Sequence, residues 1–327
     1  MLRNVLVGCW VVVLAVPLFA QDGPALAGHL RWVTSVAFQK DTGRLVTTGG
    51  ESLLYRPGDV KVWNPADGSL VASFEGHPTV AWSAATSADG KTLITSGYDG
   101  KVIVWDGESQ KPKQTLSKQK GWIRSVALSP DGKYFATGGE DGGVVVWETD
   151  GAKEFKVLKP HEQAVYQVTF SPDGATLATA STDKTAKLFD WNAGAEKAKL
   201  EGHTEAVWAI VYRPDGQMIA TAGADKKIKL RDANGAEQAT LEGHKDWIDG
   251  LAFSPDGGTL ASASHDRTVK LWNVAEKKES HSFGDFTGSV WCVAFSPDGQ
   301  TLATGNHKDG VRLFKVGDKS EVFAKKK

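Results

Sequence analysis

A four-residue turn returns along this chain at nearly constant distance. SADG begins at residue 87, SPDG at 129 and 171, RPDG at 213, and SPDG again at 254 and 296. The steps are 42, 42, 42, 41 and 42 residues, and a looser copy, QKDTG, begins at 39. A second marker, Gly-His, stands at 28–29, 76–77, 202–203 and 243–244, with Pro160-His161 in the same register. A third closes each unit: WN at 63–64, WD at 105–106, WE at 147–148, FD at 189–190, RD at 231–232, WN at 272–273 and FK at 314–315. Together they define seven repeats. A period of this length restricts the fold severely, because one unit alone cannot bury its apolar face and must pack on its neighbours.

Each unit divides into four short strands. In the sixth, WIDGLAF, TLASAS, VKLWNV and KESHSF alternate with turn segments such as SPDG and HDRT. Pro presets φ at the turn and Gly accepts its tight exit. Apolar residues alternate or run together, as buried strands require.

Four-stranded units bounded by Gly-His and Trp-Asp resemble WD40-repeat β-propellers. The resemblance covers residues 22–324. It implies an all-β fold, a seven-bladed WD40 β-propeller with four antiparallel strands per blade around a central channel. The blades are expected at about 28–74, 75–116, 117–158, 159–200, 201–241, 242–283 and 284–324, forming a single domain over 21–327. Either SEVFA (320–324) or PALAGH (24–29) can supply the closing strand. The first is long enough for a strand of usual length.

The resemblance also implies a buried set in each blade: the repeat His, the Asp of the turn before the third strand, a second-strand Ser or Thr, and the third-strand Trp. His77, Asp99 and Trp105 match in repeat two, and His244, Asp266 and Trp272 in repeat six. Repeat four has His161 and Asp183 with Phe189 for Trp; repeat five has His203 and Asp225 with Arg231. Repeat three keeps Asp141 and Trp147 but has Gln119 for His. Repeat seven, with Phe286, Lys308 and Phe314, is expected to lack the set. Buried polar groups occur in satisfied pairs, so these histidines are read as structural. His265, His281 and His307 fall outside the repeat position and show no metal-ligand spacing.

Counting from each repeat His along the first strand, apolar residues fall at +4, +7 and +9, as in Val165, Val168 and Phe170. A strand has period two, so +4 and +7 share a side only if a β-bulge intervenes near +5 or +6. Aromatics gather there. Trp32, Trp122 and Trp247 stand at +3, and Trp82, Tyr166, Trp208 and Trp291 at +5. Every blade supplies one, so the two positions are expected to share one volume per blade. The resemblance places this end of the strand on the top face, beside the channel mouth. The rings either pack between blades or form a binding rim, to which Arg124 and Asp249 would add polar contacts.

Repeat one holds an insertion. Its His29 and Trp63 are 34 residues apart, against 28 in repeats two, four, five and six. The extra residues lie within ESLLYRPG (51–58), whose Leu53, Leu54, Tyr55 and Arg56 form either a contact loop on the top face or a cap over blade one.

No catalytic pattern is present. There is no G-x-x-x-x-G-K-[ST] loop, no G-x-S-x-G elbow and no cysteine pair for zinc, and Val165 stands where H-E-x-x-H needs its second His. The formal net charge of −1 gives no footing for nucleic acid. The expectation is a non-enzymatic, monomeric platform without cofactor or metal. Its partner would be a protein or peptide; the alternatives are a carbohydrate or cell-envelope ligand on the aromatic rim and, third, an enzyme with its active site at the channel mouth. Residues 1–20, with Arg3 before an apolar run from Val5 to Phe19, read as a signal peptide cleaved near Ala20. The protein is then periplasmic or secreted. An uncleaved membrane anchor is the alternative, though the run is short of the ~20 residues a span needs.

Overall fold

The computed structural model describes residues 26, 32–50 and 56–323. The leader segment and Leu53, Leu54 and Tyr55 lie outside the described residues. The described chain forms seven antiparallel sheets, each a meander in which consecutive strands are neighbours. The innermost strands are Trp32–Phe38, Ala81–Thr86, Ile123–Leu128, Val165–Phe170, Val207–Tyr212, Ile248–Phe253 and Val290–Phe295. Each touches the next, and the last touches the first, so the sheets close into a ring. This is a seven-bladed β-propeller. Among the described residues the only helix is a 3₁₀ turn, Asp150–Ala152.

The core lies between blades. Val46, Val60, Val62 and Phe74 of blade one pack on Ala81, Leu93, Ile103 and Trp105 of blade two, and equivalent clusters fill the other six junctions. Each large side chain so buried stabilises by about 1.5–3 kcal/mol, which makes every blade depend on both neighbours.

The bulge falls at one position. Pairing between the first and second strands shifts at Val33/Ser35, Ala81/Ser83, Val165/Gln167, Val207/Ala209, Ile248/Gly250 and Val290/Cys292, and between Ile123 and Ser125 in blade three. The extra residue is always +5. Residues +4 and +7 therefore face the same core, as Val165 and Val168 do, both buried. The residue after the bulge reaches across to the next blade: Ser83 Oγ accepts from the Val126 N–H (3.3 Å), Ser125 Oγ from Val168 (3.1 Å), and Gln167 Oε1 from Ile210 (2.8 Å).

The seventh sheet has three full strands, and the C-terminal segment completes its edge. Glu321 bridges Phe314, Val322 N donates to Leu313 O at 2.8 Å, and both Glu321 oxygens accept from Arg312 at 2.8 Å. Leu26, from the competing N-terminal segment, is buried instead between blades seven and one, against Val33, Trp63, Val311 and Leu313.

The buried sets form. His77 Nε2 lies 2.8 Å from Thr95 Oγ1, which also accepts from Trp105 Nε1 at 2.8 Å, while Nδ1 faces Asp99 at 3.2 Å. His161–Asp183, His203–Asp225 and His244–Asp266 repeat the pair at 2.7, 2.8 and 2.8 Å, and Trp272 Nε1 donates to Ser262 Oγ at 2.9 Å. Gln119 replaces His in blade three, its Oε1 accepting from Thr137 Oγ1 at 2.5 Å. Arg231, in the Trp position of blade five, is buried and donates to the carbonyls of Glu201 and Gly235. Blade seven corrects the sequence expectation. Asp309, one residue beyond Lys308, accepts from Thr287 N (2.8 Å) and Asn306 Nδ2 (2.9 Å), so the carboxylate survives without the histidine.

Candidate functional site at the mouth of the channel

In blades two to seven the turns that precede the third strand meet the start of the first strand at one end of the blade. Tyr98 N bonds Val80 O, Glu140 N bonds Trp122 O, and His265 N bonds Trp247 O, with matching pairs in blades four, five and seven. The Gly-His loops and these turns therefore share one face.

At that face the bulge turns one residue per blade toward the axis. These are Thr34, Trp82, Arg124, Tyr166, Trp208, Asp249 and Trp291, and all seven line one open cavity of about 370 Å³. Trp247 and His265 line it as well. The bulge is thus the device that converts seven inward-facing strands into one ring of side chains. Of the seven aromatics expected here, none is buried, and Trp247 is 44% exposed.

The rings do not share one volume per blade, as the sequence suggested. A +3 tryptophan leans across a blade boundary onto the preceding blade. Trp247 meets Trp208 edge-on at 4.9 Å, and Trp32 meets Trp291 at 5.8 Å. Tyr166 stacks on Trp208 at 5.7 Å, and Trp122 approaches Tyr98 of blade two at 5.5 Å. The alternation seen in the sequence reflects packing between neighbours: Trp247 and Trp32 cover the +5 ring next door, and Trp122 covers Tyr98.

Two histidines read as scattered belong to this site. His265 lies 5.3 Å from Trp247 and 6.1 Å from Trp208; His307 lies 5.6 Å from Trp32 and 5.3 Å from Trp291. They occupy the same repeat position, 42 residues apart, as Tyr98 does in blade two. That spacing was the signal that could have found them. His265 Nε2 and Asp249 Oδ2 are 2.5 Å apart. Burial disfavours the His265 cation, but the bond to Asp249 and the charges of Asp249, Asp246 and Asp266 outweigh it and raise its pKa.

Arg124 is the cation of the mouth. Its guanidinium carbon sits 4.2 Å from the Trp82 ring centre, 4.1 Å from that of Tyr166 and 5.2 Å from that of Trp122. Arg56, from the insertion, is exposed. The insertion leaves the fold at Gly50 and re-enters at Gly58, which pair with each other. A Cβ on Gly58 would meet Thr79 O at 2.3 Å, so both ends are pressed against blade two at the face that carries the cavity. Among the described residues no group of three or more His, Cys, Asp or Glu side chains is placed to hold a metal ion.

Comparison with known proteins agrees with the architecture. Residues 23–64, 68–106 and 110–148 match the family described as WD domain, G-beta repeat, and residues 165–326 match the IFT122 first beta-propeller. The chain is 28% identical over 98 residues to the COMPASS component SWD3 of Saccharomyces cerevisiae, covering 30% of this chain and 29% of that protein. It is 38% identical over 53 residues to the meiotic recombination protein rec14 of Schizosaccharomyces pombe, covering 16% and 18%. It is 30% identical over 96 residues to a ribosome biogenesis protein WDR12 homolog of Chlamydomonas reinhardtii, covering 26% and 20%. Each match spans less than a third of the relative's length. With seven registered repeats, a closed ring of seven blades and these two family matches, the chain belongs to the WD40-repeat β-propeller family.

Proposed function

We propose that the protein is an exported, non-enzymatic platform that recruits a protein or peptide on the face bearing the aromatic ring. WD40 propellers are in general interaction scaffolds, and SWD3 is by name a component of an assembly. The observation that carries the reading is the partial exposure of all seven aromatics on one face, with Trp247 the most open and five of them around a single cavity. Exposed tryptophan and tyrosine are favoured interface anchors, since they bury large area with few rotatable bonds. The ends of the blade-one insertion, Gly50 and Gly58, lie at the same face, so the insertion is either a second contact or a cap over blade one. Export rests on the leader alone, and a mature N-terminus at Gln21 would support it.

The test is capture from a cell-envelope extract. Wild type is expected to retain partners that the Trp208→Ala/Trp247→Ala double variant loses. Equal retention would remove the rim as the site. Glycan-array binding that is lost in the same variant would move the reading to carbohydrate. Replacing residues 51–58 with EDGG separates contact loop from cap: lost binding at unchanged stability marks a contact, and the reverse marks a cap.

A further inference from the structure

Arg124 is sandwiched between two aromatic rings and has no counter-ion among the described residues. Its plane lies between the +5 rings of the two neighbouring blades, Trp82 and Tyr166. Among the described residues no carboxylate pairs with it, its Nε is buried without a partner, and its side chain lines the cavity. The indole N–H groups of Trp82, Trp208 and Trp291 are also unpartnered, so every orphaned polar atom of the ring is a donor. The one carboxylate lining the cavity, Asp249, stands three blades away and is engaged by His265. Cation–π contact offsets only part of what a guanidinium loses on leaving water.

We propose that the mouth binds a monocarboxylate carried on an apolar or aromatic group. The terminal amino groups of Arg124 present a fixed fork that matches a carboxylate bidentately. Trp208, Trp247 and Trp291 supply the apolar wall opposite. Arg124 is the only Lys or Arg among the lining residues, and Asp249 shares the space, so the site suits one negative charge better than the two of a phosphate. A volume of about 370 Å³ admits a small side chain or chain end. The inference rests on the platform reading and names the group its peptide would present. That group is a C-terminal carboxylate following an apolar residue, or an Asp or Glu side chain beside one.

Indole N–H resonances of ¹⁵N-labelled protein, with Trp82 assigned through Trp82→Phe, read the site directly. The probes are N-acetyl-phenylalanine, its amide, and N-acetyl-aspartyl-phenylalaninamide, titrated to millimolar concentration. At least one of the two acids is expected to shift the Trp82 signal and to bind about tenfold or more tighter than the neutral amide, as loss of a charge-assisted bond implies. Which acid binds identifies the source of the carboxylate. Arg124→Gln should abolish the acid preference, and Arg124→Lys, which keeps the charge but not the fork, should retain part of it. Equal binding of acid and amide, an acid preference that survives Arg124→Gln, or no response to any probe overturns the proposal. If Arg124→Gln fails to fold, the wild-type comparison of acid with amide decides alone. Partner capture that depends on Trp208 and Trp247 without any acid preference removes this inference and leaves the platform; capture that ignores them removes the platform.

Discussion

Blades six and seven solve the same problem with different residues. In blade six His244 links Ser262 (2.6 Å) to Asp266 (2.8 Å), and Asp266 also accepts from Lys245 N (2.8 Å) and Thr268 N (3.0 Å). In blade seven Phe286 fills the histidine's place, packing on Phe314 with Arg312 over its ring at 4.4 Å, while Asp309 and Asn306 hold the loop from the more exposed side. What the two share is a carboxylate that accepts the first N–H after the repeat position. In these two blades the shared requirement is to satisfy that backbone donor; blade two, with Pro78 after His77, has no such N–H to satisfy. The histidine is one way of orienting the acceptor, and an aromatic filler with Asn is another.

That comparison can be broken by mutation. The largest effect is expected for His244→Ala. It leaves a half-buried carboxylate and a buried hydroxyl without their shared partner, and should cost about 1–3 kcal/mol. A thermal melt reads this as a drop of several degrees at most, and an unchanged melting temperature would show that Asp266 is served well enough by its backbone donors.

Acid should act on blade six next. Burial raises the pKa of Asp266, but the hydrogen bonds from His244, Thr268 and Lys245 outweigh it and hold the carboxyl below its ordinary value. Asp225 and Asp183 shift the same way for the same reason. A depressed folded-state pKa gives stability that is present above the unfolded value of about 3.9 and lost as pH falls through the folded one. Denaturant midpoints should therefore decline below about pH 4. His244→Ala should flatten that decline, and an identical slope in the variant would separate the acid response from this carboxylate.

The smallest effect is expected for Asp309→Ala. It frees the exposed Thr287 N–H, which water can bond, and takes one acceptor from the Asn306 amide, so the loss should be about 0.5–1.5 kcal/mol. A loss as large as that of His244→Ala would mean that blade seven relies on its carboxylate as strongly as blade six.

Much of this was legible along the chain. The 42-residue spacing of the Pro-Asp-Gly turns set the number of blades, and the strand pattern between them set four strands to each. Even the bulge was readable, because Val165 and Val168 cannot face one core across three residues without it. The candidate site was legible as a list, since +3 and +5 are fixed offsets from the repeat histidine. Its geometry was not. Trp247 is three residues past His244 in its own turn region, yet its contact is Trp208, a blade away. His265 and His307 went unassigned because they sit after the second strand, and only folding brings that position back to the rim. Asp309 was missed because a one-residue shift moves it off the register.

Sequence alone determined the ring of seven four-stranded blades, because strands, turns and the bulge are set by short, repeated patterns that each unit carries in full. Tertiary structure decided what the ring presents. It leaned the +3 tryptophans across blade boundaries, enclosed Arg124 between Trp82 and Tyr166, joined His265 to Asp249, and gave the last blade's edge to Glu321 and Val322. Each of those contacts joins residues from different strands or blades, and their distances depend on how the blades pack around the axis rather than on any local preference of the chain.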